Sequence, residues 1–154
     1  MALAVLRPDS WNGPLLLHLV GAFGLVGGLL AVAVATLAPR RLPGSGLLLD
    51  RVAFRTLLVV AWPGFVVMRI AGQWLESRED VPGDPTWLGI GFAVSDLGVL
   101  LLIVLTVLAW RAARRPPAAP GERPATNRAV AALTPIYLLA LAVAWWAMSA
   151  KPGA

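Results

Sequence analysis

The sequence contains no cysteine and a single histidine, and charged residues make up only 14% of its 154 positions. The absence of cysteine excludes disulfides, thiolate metal sites and CxxC redox chemistry. So few charges leave too little polar side-chain surface for a soluble domain of this size, in which 58% of the residues are hydrophobic. The composition therefore predicts a membrane protein.

Four apolar stretches cover residues 14–37, 52–74, 87–110 and 129–150. Each is close to the roughly 20 residues that a helix needs to cross about 30 Å of hydrocarbon. We therefore predict an all-α fold, a four-helix transmembrane bundle that forms one domain over residues 1–154. The first stretch is longer than the apolar core of about 7–15 residues in a signal peptide, so we expect the protein to keep it.

The loops between these stretches differ in charge. The first and third loops and their flanks are basic, with Arg40, Arg41, Arg51, Arg55, Arg111, Arg114, Arg115, Arg123 and Arg128. The second is acidic, with Glu76, Glu79, Asp80 and Asp84 around Arg78. Because arginine-rich loops stay in the cytoplasm, both termini and the acidic loop are predicted to lie on the non-cytoplasmic side.

Five tryptophans agree with this orientation, since indole rings prefer the membrane–water interface. They fall near the outer interface at Trp11, Trp74, Trp87, Trp145 and Trp146. The net charge of +5 is spread between apolar stretches and does not gather on a soluble surface, so no nucleic acid is expected. The predicted partner is the lipid bilayer.

The first stretch carries small residues on one side. His18, Gly21, Gly24 and Gly28 recur at steps of three and four, which places them on one stripe of a helix. Small residues let two helix backbones approach closely in lipid, so we interpret the three glycines as a helix-packing face. The same stripe leaves a second interpretation open, contact with another copy of the chain or with a membrane partner subunit.

Polar residues within the apolar stretches form the main functional prediction. Counted at 1.5 Å per residue from the centre of its stretch, Arg69 lies about 9 Å toward the outside, and Asp96 lies about 4 Å from the midplane. An unpaired aspartate at a helix centre costs about 2.5–3.5 kcal/mol, and Arg69 is its nearest basic partner. With Gln73 and His18 in the same half, the sequence predicts an outer polar cluster. It either fixes the helix register or lines an outward-facing ligand pocket.

The "LHLVGAFGLVGGLL" segment resembles the opening helix of small bacterial membrane proteins related to the copper-resistance D group and of uncharacterised four-helix families. The resemblance implies a multi-pass protein of the bacterial cytoplasmic membrane. It also implies metal or haem contact by an outer histidine, which carries over only to His18 as a metal ligand. A single histidine without cysteine departs from a complete metal site and excludes bis-histidine haem within one chain.

These observations favour the binding or transport of a small molecule or ion at the polar cluster. Two alternatives stay open. One is an auxiliary or assembly subunit of a larger membrane complex, and the other is a copper- or haem-handling protein that uses His18 with Met68 or Met148. An enzyme is not favoured, because the sequence shows no recognisable nucleophile, paired carboxylates or metal motif. Ser95 beside Asp96 is a weak candidate pair, since adjacent residues on a helix point apart.

Overall fold

A computed structural model describes residues 9–38, 45–79, 85–116 and 122–151, which are helical apart from a few connecting residues. The helices are α1 (Asn12–Leu37), α2 (Ser45–Thr56), α3 (Trp62–Glu79), α4 (Thr86–Ala113) and α5 (Ala125–Ala150), and a 3-10 turn, Asp9–Trp11, precedes α1. A π-helical segment, Leu57–Ala61, joins α2 to α3 in one continuous helix. No strand occurs in the described ranges.

The four long helices are long and apolar enough to cross a membrane, which confirms the predicted all-α, four-helix class. The predicted limits were too narrow for each of them. The largest difference is in the second, where the apolar stretch 52–74 lies inside a helix that runs from Ser45 to Glu79. Hydrophobicity marks the part of a helix that suits hydrocarbon, whereas the backbone hydrogen bonds continue into polar residues at both ends.

The π-helical segment sits directly before Pro63. There the Trp62 N–H donates to the Leu57 carbonyl, five residues back. Proline has no N–H and its ring clashes with the carbonyl four residues earlier, so a wider turn at this point accommodates it. The extra residue in the turn rotates α3 relative to α2.

Helices α1 and α3 cross at very close range through glycines. A Cβ atom added to Gly21 would lie 2.8 Å from the Gly64 carbonyl oxygen, and one added to Gly24 would lie 3.3 Å from the Gly64 Cα. One added to Gly28 would lie 3.1 Å from the Ala61 Cα. The structure thus places the three glycines of the predicted packing face against the second long helix of their own chain, Gly21 and Gly24 against α3 and Gly28 against the π-helical segment.

Helices α4 and α5 pack through two other glycines. The terminal methyl group of Met148 fills the space where Gly91 has no side chain. Seven residues further along α4, the ring of Tyr137 lies over Gly98, whose added Cβ would be 2.9 Å from the tyrosine Cζ. The bundle therefore contains two closely packed pairs, α1 with α3 and α4 with α5.

The buried core lies in the middle of the bundle and toward the basic loops. Its fully buried members include Leu25, Leu29, Val32, Leu57, Leu102, Leu105, Val130 and Tyr137. At the basic end the buried Asn127 amide donates to the Asp50 carboxylate at 2.8 Å. Arg123 donates to the Leu37 carbonyl at 2.8 Å, which satisfies one of the free carbonyls at the end of α1. These contacts join α5 and the residues just before it to α2 and α1 at this end.

Some charged residues used to predict the orientation lie outside the described ranges, namely Arg40, Arg41, Asp80 and Asp84. Of the five interface tryptophans, Trp145 and Trp146 are well exposed and Trp74 is partly so. Trp87 differs because it is buried, and the Lys151 ammonium lies 4.9 Å from the centre of its ring. Trp87 therefore packs inside the bundle and not on its surface.

Candidate functional site: a cavity at the acidic-loop end

A cavity of about 440 Å³ lies between the α1–α3 pair and the α4–α5 pair. Its walls come from residues 18–26 of α1, 68–73 of α3, 88–95 of α4 and 138–148 of α5. All of these residues lie in the half of the bundle next to the acidic loop, which is the loop that connects α3 to α4. The core that fills the other half does not extend here, so the two helix pairs enclose open space.

Most of the cavity wall is apolar, and four polar residues interrupt it. They are His18 on α1, Arg69 and Gln73 on α3, and Ser95 on α4. Three of them belong to the predicted polar cluster, so the structure brings His18, Arg69 and Gln73 around one cavity. The fourth predicted member, Asp96, does not line the cavity but reaches Arg69 from α4.

Arg69 and Asp96 form an ion pair across the gap between α3 and α4. The Arg69 Nη2 donates to the Asp96 Oδ1 at 2.7 Å, and the guanidinium carbon lies 5.0 Å from the centre of the Phe92 ring. The arginine side chain is 26% exposed and the aspartate 65% exposed. A guanidinium has five N–H donors and this one makes one recorded hydrogen bond, so further donors remain beside the cavity. The carboxylate neutralises the arginine without occupying the cavity.

His18 is held by the backbone of α3. Its Nδ1 lies 2.9 Å from the Met68 carbonyl oxygen, and because a carbonyl only accepts, Nδ1 carries the hydrogen. The ring packs over Gly72, whose added Cβ would lie 3.1 Å from Nδ1. The remaining ring nitrogen, Nε2, is therefore the one that could meet a ligand. The ring makes no hydrogen bond to Arg69 or Asp96, so it shares the cavity with Arg69 but takes no part in the ion pair.

The predicted metal role of His18 gains no further ligand of the usual kinds. Within the described residues, no group of three histidine, cysteine, aspartate or glutamate side chains is placed to hold a metal ion. Met68 and Met148 do line the same cavity as His18. A thioether–imidazole arrangement would suit only a soft ion such as copper(I).

Ser95 is a cavity residue that the sequence reasoning passed over. It is 8% exposed, and its hydroxyl oxygen is buried without a hydrogen-bond partner. The signal was present in the sequence, since Gly91, Ser95 and Gly98 follow each other at steps of four and three and so share one face of α4. The next residue, Asp96, lies on another side of α4 and outside the cavity.

The chain matches no protein-family model, and it shows no significant similarity to any characterised protein or solved structure. Any functional assignment therefore depends on the cavity and on the chemistry of the side chains around it.

Proposed function

We propose that this protein is a multi-pass protein of a bacterial cytoplasmic membrane that binds a small molecule in the cavity at the acidic-loop end, as a binding or transport protein. The observation that carries the proposal is the cavity itself, apolar over most of its wall and edged by His18, Arg69, Gln73 and Ser95. If the acidic loop lies on the non-cytoplasmic side, as the loop charges predict, the cavity lies in the half of the membrane that faces away from the cytoplasm.

Two physical arguments support binding. The volume of about 440 Å³ lies within the range of about 300–1,000 Å³ that is typical of small-molecule sites, which are also mostly apolar with a few polar groups. Moreover, a bundle that needed Arg69 and Asp96 only to fix its register would gain most from closing around them. Here the pair bridges two helices beside open space, and a buried hydroxyl, that of Ser95, is left unpaired.

The two alternative functions use other features of the chain. An auxiliary subunit would present its glycine stripe to a partner, but Gly21, Gly24 and Gly28 are already packed against α3 and the π-helical segment before it. A metal-handling protein would use His18 with Met68 and Met148, which share the cavity. Each alternative has a distinct signature in purified protein, a co-purifying polypeptide in the first case and bound copper or haem in the second.

The proposed function is tested by filling the cavity. Ala144 is buried on the cavity wall, whereas Ala93 is exposed on α4 and does not line the cavity. Native mass spectrometry of protein purified from its membrane is expected to show a bound small molecule in the wild type and in Ala93→Phe, and to show it lost in Ala144→Phe. A bare chain in the wild type, or a ligand retained equally in both variants, would contradict binding in this cavity.

The proposed orientation has its own test. The chain has no native cysteine, so a thiol introduced at Ser45 or Ser77 is the only one present. In intact cells an impermeant maleimide is expected to label Ser77→Cys, next to the acidic loop, and to leave Ser45→Cys unlabelled. Permeabilised cells provide the control, because both positions then become accessible. The reverse pattern of labelling would invert the topology.

A further inference from the structure

The side of the cavity between α1 and α5 is bordered by apolar side chains that are also exposed at the surface of the bundle. Phe23 on α1 is 75% exposed and Trp145 on α5 is 74% exposed, yet both line the cavity, together with Leu19. A side chain can do both only where the cavity wall meets the outer surface. In the proposed membrane orientation, that surface faces the hydrocarbon of the outer leaflet.

The opposite side, between α3 and α4, is bordered by different residues. There Arg69 reaches across to Asp96 at 2.7 Å, and Phe92 lies against the guanidinium. The two sides therefore present different chemistry, an ion pair on one and exposed apolar side chains on the other. A molecule that comes from the lipid meets no charge between α1 and α5.

The charges around the cavity select the polar group of the ligand. Among the described residues that line the cavity, Arg69 is the one with a charged side chain, and Asp96 already balances it. An anionic ligand would leave the site with an uncompensated negative charge, which is costly in a medium of low dielectric constant. A neutral oxygen acceptor can use the remaining N–H groups of Arg69 without changing the charge of the site.

From these contacts we infer that the cavity takes an uncharged, lipid-soluble molecule with a hydrogen-bond-accepting oxygen, such as a ketone, quinone or ester, which enters from the outer leaflet between α1 and α5. The inference rests on the proposed binding function and adds the class of ligand, its route and the role of the ion pair. Arg69 donates to the ligand oxygen, and Asp96 makes the site prefer an uncharged group over an anion.

The ligand class is tested with three photoreactive probes in lipid nanodiscs. They share a twelve-carbon chain with a diazirine and differ only at the end, as a methyl ketone, a carboxylate or a plain alkane. Adducts on the cavity residue Leu141 are compared with those on Leu139, which is exposed and does not line the cavity, so that membrane partitioning cancels. The ketone is expected to exceed the alkane about fivefold, as one net hydrogen bond allows, and to exceed the carboxylate by more.

The Asp96→Asn variant distinguishes the effect of the Asp96 charge on ligand preference from a purely structural role of that residue. Asparagine keeps a hydrogen-bonding partner for Arg69 but removes the balancing charge, so the preference is expected to change from ketone to carboxylate. The alkane is expected to label Leu141 as in the wild type, which shows that the cavity persists. A carboxylate that labels wild-type protein as well as the ketone does, or a ratio unchanged in Asp96→Asn, would overturn the inferred ligand class.

The route is tested with a tether. In the double variant Phe23→Cys with Trp145→Cys, a short bifunctional methanethiosulfonate joins α1 to α5, and mass spectrometry verifies the link. Ketone labelling of Leu141 is expected to be lost in the tethered protein. It is expected to persist in the same variant capped with a monofunctional reagent, and to return when the tether is reduced. Labelling that survives the tether would refute passage between α1 and α5.

These results separate the two proposals. If none of the three probes labels Leu141 above Leu139 in the wild type, and no small molecule co-purifies with it, the proposed binding function fails together with the inference. If the carboxylate labels the cavity best, or the tether has no effect, the cavity still binds a ligand and only the inferred class or route is wrong.

Discussion

Replacing Gly21 with alanine tests the close crossing of α1 and α3, which forms one side of the cavity. The added Cβ would lie 2.8 Å from both the Gly64 carbonyl oxygen and the Met68 Cα, and still closer to the Met68 backbone nitrogen. All three are backbone atoms, so no change of rotamer can relieve the contact. Ordinary contact begins near 3.4 Å, so the two 2.8 Å contacts alone require the helices to move apart by about 0.6 Å, and the closer Met68 nitrogen requires more.

A separation of that size has a predictable cost. A gap of about 0.5–1 Å forfeits a quarter to a half of the dispersion energy of each affected contact, and overpacking typically costs about 1–3 kcal/mol. The higher helix propensity of alanine offers little compensation, because a membrane helix stays helical when it separates from its neighbour. We therefore expect Gly21→Ala to lower the free energy of unfolding by about 1–3 kcal/mol.

The assay is unfolding by SDS titration in mixed micelles, and Gly27→Ala on the same helix is the matched control. A Cβ added to Gly27 meets nothing within 4 Å, so its free energy of unfolding is expected to stay within about 0.5 kcal/mol of the wild type. Equal stability of the two variants would mean that α1 and α3 do not cross at Gly21. The position of the cavity wall that α1 and α3 form would then also be wrong.

Two further sets of substitutions test the polar contacts at opposite ends of the bundle. Arg69→Gln and Asp96→Asn are each expected to lower the free energy of unfolding by more than the double variant does, with a coupling energy of at least about 1 kcal/mol in a double-mutant cycle. Additive effects would argue against the 2.7 Å ion pair. At the basic end, Asn127→Leu is expected to cost about 1–3 kcal/mol, because the buried Asp50 carboxylate loses the amide donor 2.8 Å away. Asn127→Asp is expected to cost more at pH 7, since two carboxylates then face each other, and to recover stability at low pH when one is protonated. A pH-independent loss in the aspartate variant would contradict that contact.

Much of the architecture follows from hydrophobicity and length alone. Four apolar stretches of sufficient length lead to four helices, because lipid leaves a spanning backbone few ways to satisfy its hydrogen bonds other than a helix. The same local periodicity placed Gly21, Gly24 and Gly28 on one side of α1. It could not say which helix they meet, because a stripe of small residues suits a neighbour in the same chain as well as a second copy.

The depth of a residue along a helix can also be predicted from the sequence, since every residue adds 1.5 Å. This depth predicted that Arg69 lies within reach of Asp96, and the two form an ion pair. The rotation of a helix about its axis cannot be predicted in this way, because it depends on how each helix packs on the others. That rotation turned Ser95 toward the cavity and left Asp96 outside it. The π-helical turn before Pro63 then rotated α3 relative to α2, a change that no regular period predicts.

The cavity itself belongs wholly to the tertiary structure. Its volume depends on two helix pairs that pack closely through glycines within each pair and enclose open space between the pairs near the acidic loop. Composition determined that this chain contains four apolar helices and a few polar side chains at one depth. Only the packing of those helices decided that the polar side chains surround a space large enough for a ligand, because empty volume depends on contacts between residues far apart in the chain.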